Sequence, residues 1–158
     1  IAITDDMNAQ NLHDQLKVLG ADLLAVEYMD YLRGHIIGHP QDEALVTIAP
    51  KIAKTEARID WKRPAREIFC QIRGLAMGST AFAVRDAKNL KFHKVRVRVL
   101  GHVNKVPGEI IDVGQQNFVV ACGSDAIEVL ELQPESKSKM SAADYLRGYP
   151  AKVGDVLT

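Results

Sequence analysis

Leu12, Leu16 and Leu19 fall on one helical face, Asn8 stands where a helix cap is wanted and Gly20 where a left-handed stop is wanted. That pattern predicts a helix over 8–19. Leu24, Tyr28 and Leu32, spaced by four, predict a second helix over 22–32 that stops at Gly34. Two amphipathic helices cannot bury their own stripes, so residues 1–35 are expected to pack on something they do not supply, as a remnant of a larger domain does. Residues 34–60 lack sustained periodicity and read as a connector, with a short strand over 44–48. Pro64 then opens a third helix, with Ala65, Ile68, Ile72 and Leu75 along one face and Gly74 at its end.

Beyond Gly78 the period shortens to two. Strands are predicted over 80–84, 90–100, 109–113, 117–122 and 126–132, separated by turn formers such as Pro107-Gly108 and Gly123-Ser124-Asp125. In the longest, Lys94, Arg96 and Arg98 alternate with Val95, Val97 and Val99, so cations and β-branched side chains take opposite faces. Phe92 breaks that phase, which predicts a bulge near His93. Ser141 to Asp144 reads as a capping box for a short helix ending before Gly148, and Gly154-Asp155 as a closing turn. Five short strands with small helices among the connections fit a Greek-key barrel of the OB type, and a small β-sandwich presents the same pattern. The expected class is α+β.

The composition, 47% hydrophobic and 25% charged over 158 residues, excludes collagen-like, disordered and coiled-coil classes. No run of ~18 to 20 apolar residues suggests a membrane span, and no signal peptide is visible, so a cytoplasmic protein without a membrane partner is expected. Cys70 and Cys122 belong to no metal or disulfide spacing and read as small buried hydrophobes. Twenty Lys and Arg balance twenty Asp and Glu, but unevenly. Residues 1–50 hold eight acids and two bases, residues 51–100 four acids and thirteen bases, and residues 101–158 eight acids and five bases. Neutrality conceals a basic middle.

Clustered cations neutralise phosphates with little regard to base, which makes the middle third a candidate polyanion surface. The candidate contacts are Lys51, Lys54, Arg58, Lys62, Arg63 and Arg66 around the connector, Lys94, Arg96 and Arg98 on the long strand, and Lys137 and Lys139 before the last helix. The competing reading is a solvated face, or ion pairs with the acidic first segment. His35 and His39 stand four apart, but Gly34, Gly38 and Pro40 argue against the helix that would make them metal ligands. His13 beside Asp14 reads as an exposed helix residue rather than an acid–base group. The stretch from Gly101 to Gly108 lacks the Lys-Ser/Thr ending of a P-loop. No nucleophile with its base stands in a recognisable context, so composition and spacing alone describe a binding module.

Residues 41–61 resemble the linker of methionyl-tRNA formyltransferases, closely so at Lys54, Glu56, Ala57, Arg58, Ile59, Asp60 and Trp61. Residues 64–74 are similar to the helix that follows in that family, and residues 130–148 to its C-terminal signature of Leu-Gln-Pro, a basic stretch and Met-Ser-Ala-x-Asp. Ile3-Thr4 and the helix from Asn11 to Leu16 resemble the last helices of the family's N-terminal domain. The resemblance implies a helical remnant of a Rossmann-like domain over 1–37, a linker over 38–61 and a five-stranded OB-like barrel with short helices over 62–158. It implies the second half of an enzyme that formylates initiator Met-tRNA from 10-formyltetrahydrofolate. The family's catalytic residues and folate loop lie upstream of Ile1, so no catalytic residue carries over, no cofactor is expected in this chain, and the absent catalytic domain of the same polypeptide is an expected partner. Two departures stand out. Ala76 to Thr80 replaces the family's Asn-Pro-Trp-Pro-Gly-like turn, and Ser138 splits its Lys pair into Lys137 and Lys139, expected on one side of an extended segment. The alternatives are a related formyltetrahydrofolate hydrolase or sugar formyltransferase, which the C-terminal signature disfavours, and a free-standing OB module, for which few stacking aromatics are available.

Overall fold

The computed structural model describes residues 1–101 and 104–158, so His102 and Val103 of the Gly101–Gly108 stretch lie outside the described residues. The chain divides into two compact units, Ile1–Ile52 and Ala53–Thr158.

In the first unit one helix, α1 (Ala9–Leu32), replaces the two that were expected. Leu12, Leu16, Gly20, Leu24, Tyr28 and Leu32 repeat every four residues, so one stripe runs through Gly20. A lone glycine costs a helix only ~1 kcal/mol relative to alanine, too little to break a stripe that continues in phase. The Asn8 side chain accepts from Asn11 N–H at 2.9 Å while the Asn11 side chain accepts from Asn8 N–H at 3.1 Å, a reciprocal cap. At the other end Gly34 takes φ +77°. No residue of α1 is buried in this unit. The strand expected over 44–48 is instead a short 3-10 helix, Glu43–Leu45, because the Asp42 side chain accepts from Ala44 N–H at 2.9 Å and closes the chain into a turn.

The second unit is built on a curled antiparallel sheet. Its strands are β1 (Phe82–Arg85), β2 (Lys88–Arg98), β3 (Ile110–Val113), β4 (Phe118–Ala121), β5 (Ala126–Pro134) and the two-residue β6 (Met140–Ser141), in the order β1-β2-β5-β4-β3 with β6 on β5. The sixth strand is too short to show a period in the sequence. The register of β2 on β5 slips on both sides of Lys94, which is the bulge that Phe92 signals. Two helices complete the unit. The first, α2 (Ala65–Gly74), follows Pro64 and packs on β2 and β5; the second, α3 (Ala142–Gly148), is capped by Ser141, whose Oγ accepts from Asp144 N–H at 3.0 Å.

Trp61, Ile68, Ile72, Phe92, Ile110, Phe118, Ile127, Val129, Leu132, Tyr145 and Leu157 form one core. Ala57, Ile59 and Trp61 are part of it, so the end of the expected connector is packed rather than free. A short 3-10 helix, Lys54–Ala57, precedes this stretch, and Ile59 N–H donates to Phe82 O at 2.8 Å along the open edge of β1. The last residues bond to both outer strands of the sheet. Val84 and Thr158 exchange N–H to carbonyl bonds at 2.6 and 3.0 Å, and Ile110 N–H donates to Asp155 O at 2.7 Å. This tail therefore blunts the edges of β1 and β3 together. Cys122 is buried as expected, with its thiol pushed up to about 12 by desolvation, but Cys70 is exposed because it lies on the outer side of α2. Among the described residues no helix is long and apolar enough to cross a membrane.

Candidate nucleic-acid interface

All eleven candidate cations are exposed. What separates them is whether a carboxylate already holds them.

From Ala57 to Lys62 the burial alternates: Ala57, Ile59 and Trp61 turn inward, and Arg58, Asp60 and Lys62 turn out. This period of two is the stamp of an extended segment lying on a core. Its placement is rigid. Gln71 Nε2 on α2 donates to Glu56 O at 2.7 Å and Arg58 O at 3.2 Å, and Gly123 N–H donates to Arg63 O at 3.0 Å. A Cβ at Gly123 would stand 1.9 Å from Lys62 O, so only glycine lets the backbone of Lys62 approach. Arg58 and Lys62 flank a shallow cavity of about 590 Å³ that Thr55, Trp61, Pro107 and Leu157 also line. Trp61 Nε1 is buried and has no hydrogen-bond partner among the described residues. Among the described residues neither Arg58 nor Lys62 makes an ion pair, and Lys54, one residue before Thr55, makes none either. A multivalent anion meeting this edge finds cations that need not first leave a carboxylate.

Of the remaining candidates Arg63, Arg66, Arg96, Arg98 and Lys139 already have partners, whereas Lys51, Lys94 and Lys137 make no ion pair among the described residues. Arg63 is held by Glu67 at 2.8 Å, and Arg66 lies over the Phe69 ring at 5.3 Å, with Arg73 at 5.0 Å from the same ring. On β2 the predicted alternation is present, with Val95 and Val97 packed on the core, but Val99 is exposed because the strand ends at Arg98. Arg96 stands opposite Glu128 of β5, and the buried Glu128 carboxylate lies 3.8 Å from Arg96 and 3.7 Å from Arg98. Asn117 Nδ2 donates to the same carboxylate at 2.5 Å. Lys94 has no ion pair among the described residues. Lys139 is paired with Glu131 at 2.6 Å, whereas Lys137 lies in the turn that Lys137 N–H closes on Pro134 O at 3.1 Å, with Ser136 at φ +60°. That turn ends at Lys137, and residues 138–139 lead from it into β6. Lys51 belongs to the first unit and is exposed there.

Sequence reasoning left out Glu128, the one buried charged residue among those described. Its signal was faint: an acid in the middle of an otherwise apolar run, at the register position facing Arg96. His35 Nδ1 lies 3.4 Å from Asp30 Oδ1, and no group of three or more His, Cys, Asp or Glu able to hold a metal occurs among the described residues.

The described residues of the second unit form a half-barrel of antiparallel strands with exposed cations along one edge. The chain belongs to the family described as formyl transferase, C-terminal domain, which matches residues 51–150. It is 45% identical over 99% of its length to a methionyl-tRNA formyltransferase of Bdellovibrio bacteriovorus, and 41% identical over 100% to one of Bradyrhizobium diazoefficiens. The chain spans 50% of the length of each of those relatives. Among solved structures it resembles a variant of HypX from Aquifex aeolicus, 16% identical with a TM-score of 0.66, covering 100% of this chain and 31% of that one. It also resembles HypX in complex with tetrahydrofolic acid, 17% identical with a TM-score of 0.62, covering 89% of this chain and 26% of that one. Those two likenesses concern the fold.

Proposed function

We propose that this chain is the C-terminal, tRNA-holding part of a methionyl-tRNA formyltransferase. The complete enzyme transfers a formyl group from 10-formyltetrahydrofolate to initiator Met-tRNA in the cytoplasm, and this part grips the tRNA while a Rossmann-like catalytic domain of the same polypeptide does the transfer. In this reading residues 1–37 are the last helices of that catalytic domain and α1 packs its apolar stripe on it. Residues 38–61 link the two, and residues 62–158 are an OB-like barrel. The relatives' names support the activity, and the folate complex of a structural neighbour is consistent with the donor.

The observation that carries the grip is the set Lys54, Arg58 and Lys62. The alternating burial of Ala57, Ile59 and Trp61 turns Arg58 and Lys62 outward, and among the described residues no carboxylate holds Lys54, Arg58 or Lys62. Arg63, Arg66, Lys94, Arg96, Arg98, Lys137 and Lys139 extend the surface, the paired ones contributing less because a phosphate must displace their partners, and Lys51 of the first unit is a further candidate contact. Phosphate contacts position an RNA without reading its sequence.

Reversing Lys54→Glu together with Arg58→Glu is expected to weaken tRNA binding by about tenfold or more, and to do so for initiator and elongator tRNAs alike. Filter binding at fixed salt measures this, and unchanged affinity contradicts the assignment. The isolated chain is expected to show no formyl transfer in an assay with formyltetrahydrofolate and Met-tRNA; turnover would mean that it holds catalytic residues.

A further inference from the structure

A second cavity, of about 520 Å³, opens between the β1–β2 turn, the turn after β5 and the end of α3. Its size falls in the range of sites for ligands as large as a nucleotide. Tyr145 and Tyr149 stack within it, ring centroids 5.1 Å apart and 17° from parallel. Arg85 fixes that stack from one end. Its guanidinium donates to Tyr145 Oη at 3.0 Å and Pro150 O at 2.8 Å, meets Asp155 at 3.0 Å, and lies 5.8 Å from the Tyr145 ring centroid. Tyr145 is buried, whereas Tyr149 remains 39% exposed. The buried Leu90 and Pro134 line the same space.

Two cations line it as well. Lys88 and Lys137 are exposed and make no ion pair among the described residues. The acids of the cavity are already engaged: Asp86 lies 3.7 Å from Arg85, and Glu135 accepts from Asn89 N–H at 2.8 Å. Both turns are formed by residues at positive φ, Asp86, Ala87 and Ser136. A pre-stacked aromatic ring with apolar walls and two unengaged ammonium groups suits a flat heterocycle that carries phosphate, because stacking takes the ring and the lysines take the anion.

We propose that this cavity binds one unpaired nucleotide of the RNA, its base stacked on Tyr149 and its flanking phosphates on Lys88 and Lys137. The assignment rests on the RNA-binding reading given above, and adds to it a contact that a duplex cannot make. The probes are a fluorescent tetra-adenylate, AMP and a short blunt RNA duplex, each titrated by anisotropy or competition against the 158-residue chain. Tetra-adenylate is expected to bind saturably. Tyr149→Ala is expected to weaken it about fivefold or more, Tyr149→Phe to retain it, and neither change to affect the duplex. Lys88→Ala with Lys137→Ala is expected to flatten its salt dependence. Absence of tetra-adenylate binding, or equal binding by the Tyr149→Ala variant, overturns the proposal. AMP binding as tightly as tetra-adenylate overturns the RNA occupant and assigns the cavity to a free nucleotide. If tRNA fails to bind while tetra-adenylate still depends on Tyr149, the pocket stands and only the tRNA reading falls.

Discussion

Gly123 shows how one residue can position a charged edge without carrying charge. Its missing side chain lets the Lys62–Arg63 backbone lie against the turn between β4 and β5, and its N–H holds Arg63 O. Gly123→Ala forces backbone against Cβ, and we expect it to destabilise the chain by about 2–3 kcal/mol in urea unfolding, with weaker RNA binding alongside. An unchanged midpoint would mean that the approach is not needed. His93, near the bulge, has its pKa lowered by burial and by Lys139 and Lys91, against the opposing Gln133 hydrogen bond and Glu131. A lowered histidine is bound to more protons when unfolded, so its contribution is complete above the unfolded value of 6.5 and is lost as pH falls through that value towards the folded one. Stability is therefore expected to fall as pH drops below the unfolded value of 6.5, and less so in His93→Gln. Equal pH profiles for the two proteins would remove His93 from the account. Of the two thiols, Cys70 alone is expected to react with a thiol reagent in the folded chain, since Cys122 is buried with its ionisation pushed up to about 12.

Among the elements, those written in local pattern were the most legible. The alternation of Lys94, Arg96 and Arg98 with valines, the Phe92 phase break, Pro64 ahead of α2 and the Ser141 cap each have a local cause, and each is present. The first helix was legible as a stripe and not as a length, because Gly20 signals a stop only when the stripe also ends. The 3-10 helix Glu43–Leu45 depended on one Asp42 hydrogen bond that an apolar pattern cannot show. The tail was opaque for a different reason. Residues 155–158 gain their role from β1 and β3, far away in sequence, and only Leu157, 1% exposed, hints at burial. Removing residues 155–158 takes away that anchor and uncovers both edges, so we expect a loss of at least about 2 kcal/mol and increased self-association. Analytical ultracentrifugation with thermal melts checks this; a monomer of unchanged stability would contradict it.

At the scale of the whole molecule, the basic middle of the sequence does not become one uniform surface. Among the described residues the candidate cations divide into those that carboxylates already hold and those that none holds, and that sorting depends on Glu67, Glu128 and Glu131, whose reach a linear charge count cannot reveal. Family membership was legible in the motif around Arg58 and Trp61 and in the C-terminal signature, while the pairing of Lys139 with Glu131 required the fold that sets β6 beside β5. The most direct test of a phosphate grip is the slope of log affinity against log salt for tRNA, measured for the chain and for a Lys54→Ala, Arg58→Ala, Lys62→Ala variant. Each lost phosphate contact lowers the slope by about one, so the account predicts a steep dependence that the triple variant flattens by about three. A flat titration of the parent chain, or equal slopes for the two proteins, would contradict it.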